Sequence, residues 1–118
     1  FSPESANMFG AAEFDAMKPT AILINCARGG IVDEVALHAA LSAKKFRGAG
    51  LDVFELEPPN ADNPLFELEN VIISPHIAGV TRESAHRMAV TCAQNVLDRL
   101  DGKLDRGMVV NTEVLDPA

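Results

Sequence analysis

Hydrophobic positions along the chain fall alternately into strand-like and helix-like patterns. Three short apolar runs predict strands at 21–26, 48–54 and 70–74, and the first is so continuously apolar that we expect it to be buried on both faces. Apolar residues at helical spacing predict a helix before the first strand, another before the second, and a third after the last. The resulting order predicts an α/β domain with a parallel sheet and right-handed crossovers.

Local signals predict where the helices begin and end. The first, 11–17, stops before Pro19, because proline disfavours a helical conformation in the residue that precedes it. Asp33 is the predicted N-cap of the second helix, which ends near Lys45, and Thr81 is the predicted N-cap of the third.

Composition and charge narrow the functional classes. The 118 residues carry a net charge of -7 with dispersed basic residues, which argues against a nucleic-acid partner because phosphate binding needs clustered Lys and Arg. No apolar run approaches the roughly 18 residues of a membrane span, so no membrane partner is predicted. Cys26 and Cys92 stand in apolar sequence without metal-type spacing, which predicts reduced core cysteines, no metal site and a cytoplasmic protein.

Four polar residues lie at or beyond the ends of the predicted strands: Arg28 after the first, Asp52 at the end of the second with Glu57 beyond it, and His76 after the third. Each alone has an ordinary structural explanation as a surface charge, a loop acid or a strand cap. The carboxyl ends of parallel strands share one edge of the sheet, where ligands bind. We therefore expect a cation, a histidine and two carboxylates to lie there together.

That set of groups suits reversible hydride transfer to a 2-oxo acid. Histidine is the proton donor best matched to neutral pH, and a nearby carboxylate orients its imidazole and favours the protonated form. An arginine can bind the substrate carboxylate with its planar fork and polarise the carbonyl.

Three segments resemble the signature blocks of the D-isomer-specific 2-hydroxyacid dehydrogenase family, in its order and spacing: 25–34, 51–58 and 74–79. The phosphoglycerate dehydrogenase branch is the most similar, and Glu57 separates the chain from the formate dehydrogenase branch, where a glutamine is expected. The resemblance implies that His76 is the proton donor and acceptor, that Glu57 is its partner, and that Arg28 binds substrate and polarises its carbonyl.

The resemblance also implies NAD as the cofactor, with NADP as the alternative. Asp52 is then expected to contact the nicotinamide carboxamide. The implied cofactor-binding residues are Cys26, Ala27, Arg28, Asp52, His76, Ile77, Ala78 and Gly79.

The fold implied is the second half of a Rossmann-type doubly wound parallel sheet, with strands 4, 5 and 6 of the order 3-2-1-4-5-6. The chain starts at Phe1 without Met and contains no G-x-G-x-x-G turn, so we expect a fragment of a larger enzyme. Residues 1–103 form a partial NAD-binding domain in this interpretation, and 104–118 return towards an absent substrate domain. An open 21–26 strand edge predicts a homo-oligomer.

The implied activity is hydride transfer between NAD and a D-2-hydroxy acid or 2-oxo acid, such as 3-phosphoglycerate or glyoxylate and hydroxypyruvate. We expect the isolated chain to be inactive, because a Rossmann domain holds the pyrophosphate through the glycine-rich turn and helix N-terminus of its first half. The alternative from another class is a dehydrogenase-like corepressor that senses NAD.

Overall fold

The computed structural model describes residues 3–115, which divide into two compact units at the bond between Ala78 and Gly79. The first unit contains a three-stranded parallel sheet in the order β1-β2-β3. Its elements are α1 (Ala11–Asp15), β1 (Ile22–Asn25), α2 (Glu34–Ser42), β2 (Gly48–Leu51) and β3 (Val71–Ile73), with 3-10 turns at Pro3–Ser5 and Pro64–Glu67. The predicted helices and parallel strands of this unit are confirmed.

The helix α2 begins where the sequence predicts. The Asp33 carboxylate accepts a hydrogen bond from the Ala36 amide at 2.9 Å, as an N-cap does. The helix ends at Ser42, three residues before the predicted Lys45. Its buried face joins the core between helices and sheet, whose largest fully buried side chains are Phe14, Phe46, Leu37, Leu41 and Leu65.

Within the first unit the core covers one face of the sheet, so the predicted two-sided burial of the first strand is wrong. Leu23 packs against the core, but Ile22 and Ile24 are 55% and 71% exposed. On β3, Ile72 is 79% exposed and shares this face, because Gly50 pairs with both Ile24 and Ile72 in the parallel register. The core cluster formed with α1 and α2 lies against the opposite face, since alternate side chains of a strand point to opposite sides.

The second unit is built on the helix α3 (Arg82–Leu100), followed by 3-10 turns at Arg106–Met108 and Thr112–Leu115. Thr81 caps α3 as predicted. Its hydroxyl accepts from the Ser84 amide at 3.1 Å, and the Ser84 hydroxyl accepts from the Thr81 amide at 2.8 Å, which completes a capping box. No residue of α3 is buried.

Both cysteines are exposed and neither forms a disulfide, so their prediction as core residues is wrong. Cys26 lies just beyond the last residue of β1, where the strand leaves the sheet. Cys92 lies on α3, whose residues are all at least partly exposed. Within residues 3–115, every helix is too short or too polar to cross a membrane.

Candidate active site

The three strands of the sheet end side by side. The parallel ladder continues one residue past the strand ends, where the Asp52 amide donates to the Asn25 carbonyl at 3.0 Å and the Ser74 amide donates to the Leu51 carbonyl at 2.9 Å. The segments that leave β1, β2 and β3 therefore start from one edge. Arg28 stands three residues after the end of β1, and His76 stands three residues after the end of β3.

His76 and Glu57 form a direct pair, with 2.7 Å between imidazole Nδ1 and carboxylate Oε2. An ionised carboxylate only accepts hydrogen bonds, so Nδ1 carries the hydrogen and Nε2 is left to exchange a proton with a ligand. The two side chains are 48% and 37% exposed, which leaves the pair accessible.

Glu57 is held in place from its other oxygen as well. Its Oε1 accepts from the Phe54 amide at 3.0 Å. The hydrogen bond from His76 lowers the pKa of Glu57, and the Phe54 amide and the charges of His76 and Arg28 lower it further against a smaller effect of desolvation. Glu57 is thereby kept as the carboxylate that can orient the imidazole.

The turn that carries Arg28 is built by the side chain of Asn25, which sequence reasoning had not assigned a role. The Asn25 Oδ1 accepts from the Ala27 amide, and its Nδ2 donates to the Arg28 carbonyl, each at 3.1 Å. The signal was present, because an asparagine at a strand end before two glycines is typical of an Asx turn. Arg28 itself is exposed, and its Nη1 donates to the Ala27 carbonyl at 2.7 Å.

Gly29 brings this turn against the segment that follows β2. A Cβ atom at Gly29 would lie 1.6 Å from the carbonyl oxygen of Phe54, which no side-chain movement can relieve. The backbone that carries Arg28 is therefore in contact with the backbone that leads to Glu57, and only glycine permits this approach.

Glu34 anchors the loop after β2 that contains Glu57. Its Oε1 accepts from the Glu55 amide at 2.6 Å, and its Oε2 accepts from Nδ2 of Asn63 at 3.0 Å. This role was missed, and no local signal could have shown it, because the partners lie 21 and 29 residues away.

Asp52 is buried, with 4% of its surface exposed. Its Oδ1 accepts from the Ser74 hydroxyl and from the Ile77 amide at 2.9 Å, and its Oδ2 accepts from the Ala78 amide at 2.8 Å. The Ser74 hydroxyl contributes most to lowering the pKa of Asp52, desolvation opposes it, and the two amides and the charge of His76 add to the lowering.

The other residues predicted to bind cofactor are exposed at the strand exits. Cys26, Ala27, Ile77 and Ala78 are exposed in the first unit, and Gly79 is exposed at the start of the second. In the part of the chain that the structure describes, no three His, Cys, Asp or Glu residues are arranged to hold a metal ion.

An apolar cavity of about 370 Å³ borders the histidine pair. The aromatic rings of Phe54 and Phe66, which meet edge to face with centroids 5.5 Å apart, form part of its lining, and Ile73 forms another part. The polar side of the cavity is made by Asp52, Glu57 and His76.

A parallel sheet with polar groups at the carboxyl ends of its strands is typical of the class of nucleotide-binding α/β domains. Residues 1–78 match the family model described as D-isomer specific 2-hydroxyacid dehydrogenase, NAD binding domain. The chain belongs to the D-isomer specific 2-hydroxyacid dehydrogenase family, and the predicted second half of a Rossmann-type sheet is confirmed.

Several similar proteins are named as glyoxylate/hydroxypyruvate reductases. Glyoxylate/hydroxypyruvate reductase B of Citrobacter koseri is 47% identical over 106 residues, which are 90% of this chain and 33% of the relative. Its Shigella boydii counterpart is 46% identical over 96% of this chain and 35% of its own length. The chain thus spans about a third of these relatives.

Solved structures show the same likeness. A putative D-3-phosphoglycerate dehydrogenase from Ralstonia solanacearum superposes with a TM-score of 0.85 at 36% identity, over 99% of this chain and 34% of its own. The NAD-complexed form of a D-isomer specific 2-hydroxyacid dehydrogenase from Lactobacillus delbrueckii ssp. bulgaricus superposes with a TM-score of 0.83 at 35% identity, over 94% of this chain and 38% of its own.

Proposed function

We propose that the protein containing this chain transfers a hydride between NAD and a D-2-hydroxy acid or its 2-oxo acid. The observation that carries the proposal is the 2.7 Å contact between His76 Nδ1 and Glu57 Oε2, which leaves Nε2 as a proton-exchanging group. Glyoxylate and hydroxypyruvate are the first substrates to test, because the two relatives described above are named glyoxylate/hydroxypyruvate reductases. The next substrate to test is 3-phosphoglycerate. None of the relatives described above is named as a corepressor.

His76 acts as the proton donor and acceptor in this proposal. During reduction, protonated Nε2 gives its proton to the carbonyl oxygen as the carbonyl becomes a hydroxyl, and during oxidation neutral Nε2 takes that proton back. Glu57 holds the imidazole in one orientation and stabilises its positive charge while the proton is present. The lowered pKa of Glu57 supports this role, because its carboxylate stays ionised across the neutral range.

Arg28 binds the substrate carboxylate and polarises the adjacent carbonyl. A guanidinium offers two parallel N–H donors to a carboxylate, which fixes the orientation of a 2-oxo acid. Two observations support the assignment: the guanidinium is exposed, and the turn that carries Arg28 contacts, through Gly29, the segment that leads to Glu57.

Residues at the strand exits would hold the nicotinamide end of NAD, and a bound nicotinamide supplies or accepts the hydride. Small or apolar exposed side chains fit an aromatic ring, and Ile77 is 52% exposed beside His76. Asp52 Oδ2 accepts one hydrogen bond from the protein and can accept another from a carboxamide. The proposed set is Cys26, Ala27, Arg28, Asp52, His76, Ile77, Ala78 and Gly79.

Three further predictions belong to the same proposal. Residues 1–103 act as the NAD-binding part and 104–118 lead towards a substrate domain. The chain self-associates through the 21–26 edge, which the position of β1 at one end of the described sheet supports; a monomer at high concentration in sedimentation would contradict this. A cytoplasmic location stays a prediction from the composition.

The proposal is tested in the full-length protein in which this sequence occurs. NADH oxidation is followed with glyoxylate, hydroxypyruvate and 3-phosphohydroxypyruvate as substrates. His76→Ala should lower kcat by at least about 100-fold, because general acid–base catalysis contributes 10²–10⁴-fold, while cofactor affinity changes little. His86→Ala, an exposed histidine on α3, is the matched control. Unchanged turnover in His76→Ala removes the histidine from this role.

A further inference from the structure

Among the described residues, the buried carboxylate of Asp52 accepts its hydrogen bonds from groups that flank His76. Its three donors are the Ser74 hydroxyl, two residues before the histidine, and the amides of Ile77 and Ala78, which follow it directly. A carboxylate at the end of β2 therefore fixes the chain on both sides of a residue that follows β3.

The backbone at His76 needs such support. Its φ is +56°, in the left-handed region that is uncommon for any residue with a Cβ, although asparagine, aspartate and histidine adopt it more often than the others. Conformations of this kind cost free energy and persist where the surrounding structure enforces them. Glu57 holds the imidazole but no backbone group of His76, so it does not supply this restraint.

We propose that Asp52 is a positioning residue, whose carboxylate holds the segment from Ser74 to Ala78 in the conformation that presents His76 to Glu57. Its catalytic consequence rests on the proposed function above, whereas the restraint itself does not. Two of the donors are backbone amides, so the restraint depends on Asp52 and on no other side chain of that segment except the Ser74 hydroxyl.

Cofactor binding and this role are compatible but separable. A carboxylate offers about four lone-pair positions, and the protein uses three of them. The fourth, on Oδ2, is available to a carboxamide. The internal hydrogen bonds join protein groups only, so amide exchange can follow them separately from cofactor binding. The lowered pKa of Asp52 agrees with a permanently ionised acceptor.

Amide hydrogen exchange without added cofactor, in the same full-length protein that is used for the kinetics, tests the restraint. In Asp52→Ala, the Ile77 and Ala78 amides should exchange roughly 10-fold faster or more, because hydrogen bonds to a charged acceptor are among the stronger ones. Asp52→Asn keeps one acceptor oxygen and the side-chain volume, so the exchange rate of one of the two amides should rise more than that of the other. This variant also tests the restraint if Asp52→Ala fails to fold. Asp62→Asn, an exposed acid of the neighbouring loop, is the control.

Kinetics in the full-length protein test the consequence. Asp52→Ala should lower kcat about 100-fold, since a 1 Å misplacement of a catalytic group can cost that much, in addition to any rise in KM for the cofactor from loss of the carboxamide contact. Ser74→Ala should have a smaller effect, because both amides keep their acceptor.

Five results decide between the outcomes. Faster exchange together with a loss of kcat supports the proposal. Unchanged exchange at Ile77 and Ala78 in both Asp52 variants overturns it, and so does faster exchange with unchanged kcat. If the Asp52 variants lose cofactor affinity while both amides stay protected from exchange, the proposal is overturned, and Asp52 acts only as a cofactor-binding residue. If the wild-type protein reduces no 2-oxo acid, the proposed function fails, and the exchange experiment still decides the restraint.

Discussion

Arg28 and His76 each stand three residues after the end of a strand, β1 and β3 respectively, but different kinds of contact hold them there. Arg28 follows β1 on a turn closed by Asn25, which is three residues earlier. His76 follows β3 on a segment held by Asp52 and Glu57, which lie 19 to 26 residues before their partners. The β1 exit thus carries most of its own restraints, while the β3 exit takes its restraints from the segment after β2.

The contact of the β1 exit with that segment gives the largest expected effect. Gly29→Ala places a Cβ 1.6 Å from the Phe54 carbonyl oxygen, so it should destabilise the chain by about 3 kcal/mol or more, measured by urea unfolding. Gly50→Ala, whose Cβ would meet Ile24 at an ordinary 3.8 Å, is the control. Equal unfolding free energies for the two variants would mean that the β1 exit is independent of the other segments.

Removal of the local restraint should have an intermediate effect. Asn25→Ala leaves the Ala27 amide and the Arg28 carbonyl without their partner and should cost about 1–3 kcal/mol in unfolding free energy. The exposed Asn60→Ala is the control and should stay within about 0.5 kcal/mol of wild type. A cost no greater than that of the control would show that the turn is not held by Asn25.

The smallest effect is a pH dependence at the β3 exit. The pKa of Glu57 is lowered below its ordinary value of 4.5, first by the hydrogen bond from His76. Its contribution to stability is therefore present above 4.5 and is lost as the pH falls through the lower pKa of the folded state. The difference in unfolding free energy between wild type and Glu57→Gln should shrink over that acidic window. A difference that stays constant through the window would contradict the assignment, and Glu69→Gln serves as an exposed control.

Prediction from the sequence succeeded where the cause is local. Asp33 and Thr81 cap α2 and α3 as their positions indicate, because a capping side chain reaches amides two or three residues away. The three strands and their parallel order follow from apolar runs separated by a helix or a long loop. Exposure could not be predicted in this way: continuous hydrophobicity suggested two buried faces for β1, but Ile24 lies on the open one.

The residue types of the candidate site were determined by the sequence alone: one arginine, one histidine and two carboxylates directly after strands, in the order of a known family. Only the tertiary structure decided how they are used. In the structure, the Asp52 carboxylate accepts hydrogen bonds from the backbone that follows His76, whereas the Glu57 carboxylate pairs with the His76 imidazole. The physical reason is that parallel pairing brings residues far apart in the chain to one edge, and hydrogen bonds formed across that edge leave no trace in local sequence.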